Sequence, residues 1–447
     1  DGCLTIEEVL GAKLTKTCDS LCPLTNDVLD GVKAPTTPVE EAEEEAPAEE
    51  AAPAAPVATA ATVAGGTLKI HIGEGKDINL EIPVGALGAT GEAVAEVPAA
   101  AVAATATAEA PVEETKVVGT LTRRHIKITE VKRGPETKIE GTTLYIREGI
   151  EAEVIADQEL VKDFHLEIIT PDKYHTYSET IMDVQPVATK EGDAILGEGA
   201  TRVLDGVVMM LTGTDEGGVQ IGEFGSSEGY LDENIMWGRP GCPDKGEIFI
   251  KGNIVVQEKT NMERRGPMAA HTAFDIITQE IREVMKELDD SFIVEDEELK
   301  SIRRPGKKKV VIVKEIMGQG AMHDNFILPV EPVGILGARA NVDLGNVPVC
   351  VSPLEVLDGC IHALTCIGPA SKEMSRHYWR EPLVLEALHD EEVDLCGVVF
   401  VGSPQINAEK FYVSRRVGHT VEMMDDDGAF VTTEGFGNNH IDFASHI

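Results

Sequence analysis

From residue 117 onward, short apolar runs alternate with glycine and aspartate. The runs at 143–146, 166–170, 207–211 and 247–252 carry the alternation of half-buried strands, so 117–300 is expected to be a β-rich α/β domain. Residues 269–288 instead place apolar side chains at helical spacing, with acids and bases between them. Beyond 300 the pattern changes. Continuous apolar runs at 310–313 and 395–401 read as strands buried on both faces. A helix at 407–417, a strand at 429–433, and a loop at 434–440 leading into another helix follow. The fold class expected is α/β: a mixed β-rich region followed by a doubly wound, mostly parallel sheet over 301–447.

The N-terminal third reads differently. Residues 1–33 hold a short amphipathic segment, with Cys18 and Cys22 behind it. Residues 34–66 and 85–116 are rich in alanine, proline and glutamate. They offer too little apolar surface to offset ordering entropy, so both are expected to be disordered linkers. Between them, 67–84 alternates apolar residues on either side of a glycine-containing turn, the signal of a β-hairpin and a candidate docking element.

Composition narrows the function. The 447 residues carry a formal net charge of −39, much of it in the N-terminal third. Such a balance disfavours nucleic acid and anionic membrane surfaces, because both need lysine and arginine. No apolar run of about eighteen residues suggests a membrane helix. The 8 scattered cysteines look unlike a disulfide framework, so the cytoplasm is expected. The chain reads as truncated at both ends, starting at Asp1 and stopping at Ile447.

Three loops could carry chemistry, each expected at the C-terminal end of a strand, where open α/β sheets place their sites. The first is 317–325, with His323; the second is the cysteine cluster at 350–366; the third is 435–440, with Asn438, Asn439 and His440 behind two glycines. Cys242 and Cys396 read as small buried hydrophobes. Cys366 differs, because it follows Thr365 and precedes Ile-Gly-Pro, which breaks regular structure. A thiolate there can attack the Thr365 carbonyl to give a thioester. Elimination and hydrolysis then leave a pyruvoyl group. His362 is the nearest base in sequence. Cys350 and Cys360 remain competing positions.

Residues 358–383, continued through 394–413 and 433–446, resemble the pyruvoyl-forming proproteins of the D-proline reductase family. That family sits within the wider group of glycine, sarcosine and betaine reductase component B proteins. Residues 138–146, 212–215, 222–229 and 317–333 are similar too. The resemblance implies reductive Cα–N cleavage of D-proline to 5-aminopentanoate, within the amino-acid fermentation of anaerobes. It implies self-cleavage before Cys366, which becomes a covalent pyruvoyl group, with Thr365 and His362 assisting. It also implies a hetero-oligomer with a small selenocysteine-containing subunit, supplied with electrons by a separate reductase. No metal is expected. Asn438, His440, His323 and Arg376 are candidates for binding substrate, Arg376 through the carboxylate; the bland reading of 376–380 is a helix with Trp379 in the core. Two other readings stay open: a substrate-binding component of glycine, sarcosine or betaine reductase, and a non-catalytic paralogue acting in assembly.

Overall fold

The computed structural model describes residues 114–221, 228–260, 265–316, 331–333, 346–363, 374–404, 406–433 and 439–447. It also describes the backbone of short strands at 13–14, 29–30, 67–72, 78–83 and 326–327. The chain divides into two units, Asp1–Ala104 and Thr105–Ile447. In the first, Thr67–Ile72 and Ile78–Pro83 pair antiparallel, forming the hairpin that the alternation predicts. The two linkers lie outside the described residues, apart from the last few residues of the second.

The second unit is α/β with mixed sheets. One four-stranded sheet runs in the order Ile181–Gln185, Val207–Asp215, Ile248–Val256, Val161–Ile169, and only its central pair is parallel. The long helix Arg265–Glu287 covers it. Ala270, Phe274, Ile277 and Ile281 recur at helical spacing and pack against Phe164, Met209, Ile250 and Ile254. Gly252 admits this close approach, since a Cβ there would collide with the rings of Phe274 and Phe164. A second sheet orders Ala188–Lys190, Gly199–Asp205, Lys116–Lys127 and Ile293–Arg303. The domain boundary expected at 300/301 runs through this last strand. Arg282, fully buried on the long helix, donates to the carbonyls of Ala188 at 2.9 Å and Pro332 at 2.8 Å.

The C-terminal sheet orders Val349–Val351, Val393–Val401, Lys308–Glu315 and Gly428–Thr433. The three longer strands are parallel and the Val349–Val351 edge is antiparallel. Successive side chains of a strand point to opposite faces, so an unbroken apolar run serves two cores. Ile312 and Phe400 pack with Leu354, Tyr378, Val384 and Leu388 on one face. Val311, Val313 and Val399 pack with Val413 and Val417 on the other. The helix expected at 407–417 continues to Met424 and ends at Asp425, which adopts a left-handed conformation at φ 55°.

Two expectations need correction. The Val349–Val351 strand runs against its neighbour, so its C-terminal end lies at the opposite end of the sheet from those of Lys308–Glu315 and Gly428–Thr433. Cys396 is half-buried rather than buried, 3.6 Å from the Asp394 carbonyl; burial, then the nearby Asp426, pushes its pKa up to about 11, so the thiol stays unreactive as expected.

Candidate functional site

The strand Ile181–Gln185 places two polar side chains, Asp183 and Gln185, two positions apart and so on one face. Both are buried. His271 joins them from the first turns of the long helix, His362 from the short strand Ile361–His362, and Ser375 from the start of helix Ser375–Trp379. That short strand pairs antiparallel with Phe326–Ile327.

Asp183 is the hub. Its Oδ1 accepts from the N–H of Val184 at 2.8 Å and of Ser375 at 2.9 Å. Its Oδ2 accepts from the Gln185 amide nitrogen and the Ser375 hydroxyl, both at 2.8 Å. The Nε2 atoms of His271 and His362 each stand 3.5 Å from Oδ2. His271 Nδ1 donates to the Pro267 carbonyl at 2.7 Å, so Nε2 is the nitrogen it turns toward the carboxylate. Burial opposes ionisation of Asp183, yet the two imidazoles hold its carboxyl well below the usual range. Asp183, His271 and His362 offer ligand atoms within 4.8 Å of one another. Four hydrogen bonds already fill the carboxylate's lone-pair positions, however, so the arrangement is a hydrogen-bond network rather than a ready metal centre.

This network ties together two distant points of the chain. The Ser375 hydroxyl donates to Asp183 and accepts from the Ala363 N–H at 3.0 Å. The stretch between those residues contains Thr365 and Cys366, which lie outside the described residues, as do His323 and Asn438. Of the competing thiols, Cys360 is fully buried among apolar side chains, and burial pushes its pKa well up; such a thiol is a poor nucleophile. Cys350 is exposed on the edge strand.

A second polar cluster sits at the C-terminal ends of the parallel strands. Glu315 ends one strand, and Ser403 follows another. Lys410 and Asp442 come from the two last helices. All four are buried. The Lys410 ammonium donates to Asp442 Oδ2, and the Ser403 hydroxyl donates to the same oxygen at 2.7 Å. Burial, then the charge of Asp442, pushes the Glu315 carboxyl up to about 8, against the pull of Asn439, Thr433 and Lys410. Asn439 is buried beside this cluster, whereas His440 is exposed.

Arg376 lines a cavity of about 390 Å³ together with Arg123, His125, Asp244, Glu247 and Arg380. Its guanidinium forks onto both oxygens of Glu247 at 2.5 Å and reaches Asp244 at 3.3 Å. A substrate carboxylate would have to compete with these. Trp379 is buried beneath Arg123, which stacks on it at 4.3 Å.

Reading the sequence missed Asp183, Gln185, His271, Ser375, Glu315, Lys410 and Asp442. Two of them had a visible signal: Asp183 and Gln185 are polar at alternate positions of an otherwise apolar strand. The other five are assembled only by tertiary packing.

The chain is similar to proteins of known name. The D-proline reductase proprotein of Acetoanaerobium sticklandii is 65% identical over 452 residues, spanning 99% of this chain and 72% of that protein. The glycine reductase complex component B subunits alpha and beta of the same organism are 24% identical, over 71% of this chain and 73% of theirs. The sarcosine reductase complex component B subunit alpha of Peptoclostridium acidaminophilum is also 24% identical, over 71% of this chain and 73% of its own. No solved structure shows a significant match. Residues 120–447 match the family described as glycine/sarcosine/betaine reductase component B subunits, and the chain belongs to that family.

Proposed function

We propose that this chain is the proprotein subunit of a D-proline reductase, the enzyme that opens the D-proline ring at its Cα–N bond to give 5-aminopentanoate. The observation that carries this reading is 65% identity across 99% of the chain to a protein of that name. The component B relatives reach only 24–25%, which favours proline over glycine, sarcosine or betaine as substrate.

Maturation is proposed at Thr365–Cys366. The thiol of Cys366 attacks the Thr365 carbonyl and gives a thioester. Elimination releases Thr365 as a thiocarboxylate, and hydrolysis with loss of ammonia leaves a pyruvoyl group at position 366. The described residues around this stretch fit such a maturation. Its ends are tied at a dry hydrogen-bond network, and His362 stands three residues before Thr365. A pyruvoyl carbonyl supplies an electrophile for the secondary amine of D-proline.

The remaining assignments extend this reading. The C-terminal sheet is read as a short doubly wound unit, supported by helices on both of its faces. Asn438, His440 and His323 are proposed to line the substrate site; of these, His440 opens the helix Asn439–His446 that carries Asp442 of the Glu315 cluster. Arg376 would take the substrate carboxylate only by exchanging it for Glu247. Partners are a small selenocysteine-containing subunit and an electron-donating reductase, in a cytoplasmic hetero-oligomer. Among the described residues, no helix is long and apolar enough to cross a membrane.

The test is the intact mass of the chain expressed anaerobically at full length, followed by a carbonyl-reactive probe. Two fragments are expected, the smaller one beginning at position 366 and taking up the probe. Cys366→Ala should remain one unreactive chain with no proline-reducing activity when the partners are added. A wild-type chain that stays whole under these conditions would instead favour a non-catalytic role in assembly.

A further inference from the structure

We propose that the polar cluster at the C-terminal strand ends holds one small monovalent cation, of the potassium, sodium or ammonium class, between Glu315, Asp442 and Asn439. The site lies in a different part of the fold from the maturation site and does not depend on cleavage.

Six buried polar atoms meet here without hydrogen bonds. Glu315 is fully buried, yet neither of its carboxyl oxygens has a partner among the described residues. Asn439 and Thr433 pull on it without closing a hydrogen bond. Asp442 is fully buried too. Its Oδ2 takes the Lys410 ammonium and the Ser403 hydroxyl, while its Oδ1 has no partner. The Asn439 amide nitrogen and both ring nitrogens of His446 are likewise buried and unpartnered. These atoms come from two elements that pack together, the strand Lys308–Glu315 and the helix Asn439–His446. Buried groups left this way call for water, an ion or a ligand.

Three of the six are carboxyl oxygens. One water donates only two hydrogens, whereas a cation meets all three oxygens at once, and oxygen is the ligand that hard cations take. A half-turn of the Asn439 amide exchanges its nitrogen for its oxygen and adds a fourth.

Charge sets the valence. The titratable groups of the cluster are Glu315, Lys410 on one helix, and Asp442 and His446 on the next; the strand Gly428–Thr433 brings no ionisable side chain. Lys410 and Asp442 cancel. Burial pushes the His446 pKa down, so its ring is neutral. An ionised Glu315 then leaves the cluster one unit negative, which a dry site does not tolerate unpaired. One monovalent cation restores neutrality, and a divalent ion overshoots. A proton on Glu315 restores it as well, and burial with Asp442 keeps that proton up to about 8. Proton and cation therefore compete for the same carboxylate. Bound there, the cation ties the last helix to the sheet.

The test is the thermal midpoint of the full-length chain in potassium, sodium or ammonium chloride, with tetramethylammonium chloride holding ionic strength constant. At least one small cation should raise the midpoint saturably above the tetramethylammonium baseline. Its apparent Kd should fall about tenfold per pH unit below about 8 and level off above that. Glu315→Gln keeps the shape and removes the charge, so binding should weaken by at least about thirtyfold and lose its pH dependence. The melt of this variant in tetramethylammonium alone shows whether it folds, and the wild-type pH dependence decides the question if it does not. Ammonium acting where potassium and sodium do not would assign the site to a nitrogen cation within the proposed class. An equal shift from all four cations, or a shift that Glu315→Gln retains, is a general salt effect and overturns the proposal. Stronger stabilisation by magnesium or calcium at equal ionic strength overturns the charge count and the monovalent assignment with it.

Discussion

Replacing Lys410 by methionine is expected to lower the stability of the folded chain by about 3–5 kcal/mol. Lys410 and Asp442 are both fully buried, and the ammonium donates to Asp442 Oδ2. Methionine keeps most of the lysine's volume and its flexible stem. It leaves the Asp442 carboxylate without its counter-charge in a dry site where, among the described residues, the Ser403 hydroxyl at 2.7 Å is the side chain still donating to it. The measurement is the midpoint of urea unfolding at neutral pH. The control is the double variant Lys410→Met, Asp442→Asn, which removes both charges and should recover a large part of the loss. A single variant as stable as wild type would mean that water reaches the pair and that the cluster is open.

The second large effect is a pH dependence that belongs to Glu315. Its carboxyl keeps its proton up to about 8 in the folded chain and loses it near the ordinary glutamate value of 4.5 when unfolded. Between those values the unfolded state binds fewer protons than the folded one, so stability falls as pH rises. The contribution is fully present below about 4.5 and is lost by the time pH has passed about 8. The slope is about 1.4 kcal/mol per pH unit, giving roughly 3–5 kcal/mol across the window. Glu315→Gln has the same shape and does not titrate. The difference in unfolding free energy between wild type and this variant, measured from pH 5 to pH 9, should therefore shift against wild type as pH rises. A flat difference would show that Glu315 ionises normally.

Much of the fold was legible because its elements are held by periodicity. The strands at 308–315 and 393–401 announce themselves as unbroken apolar runs, since each feeds a core on both faces. The long helix shows its stripe because one face alone meets the sheet. Strand direction is a different matter. Nothing in the three residues Val349–Val351 says that they run against their neighbour, because direction is set by the connections and not by side chains. Of the buried network around Asp183, the sequence pointed only to His362. Asp183 and Ser375 are 192 positions apart and Lys410 and Asp442 are 32 apart, and composition does not reveal that they meet. The charged fork of Arg376 likewise looked available until Glu247 was found in it.

The strand order of the C-terminal sheet has a consequence for what a backbone cut does to the molecule. A break between 365 and 366 would assign the Val349–Val351 and Lys308–Glu315 strands to one product and the Val393–Val401 and Gly428–Thr433 strands to the other. In the sheet these alternate, so every ladder joins the two products and none joins a product to itself. The two polypeptides would be interleaved like the fingers of clasped hands. Dilution would not part them; denaturant would. Neither could be exchanged for a fresh copy, and neither could be expected to form its sheet if made alone. Synthesis as one chain would thus act as an assembly instruction: the covalent link that such a cut discards is what brings the four strands into register.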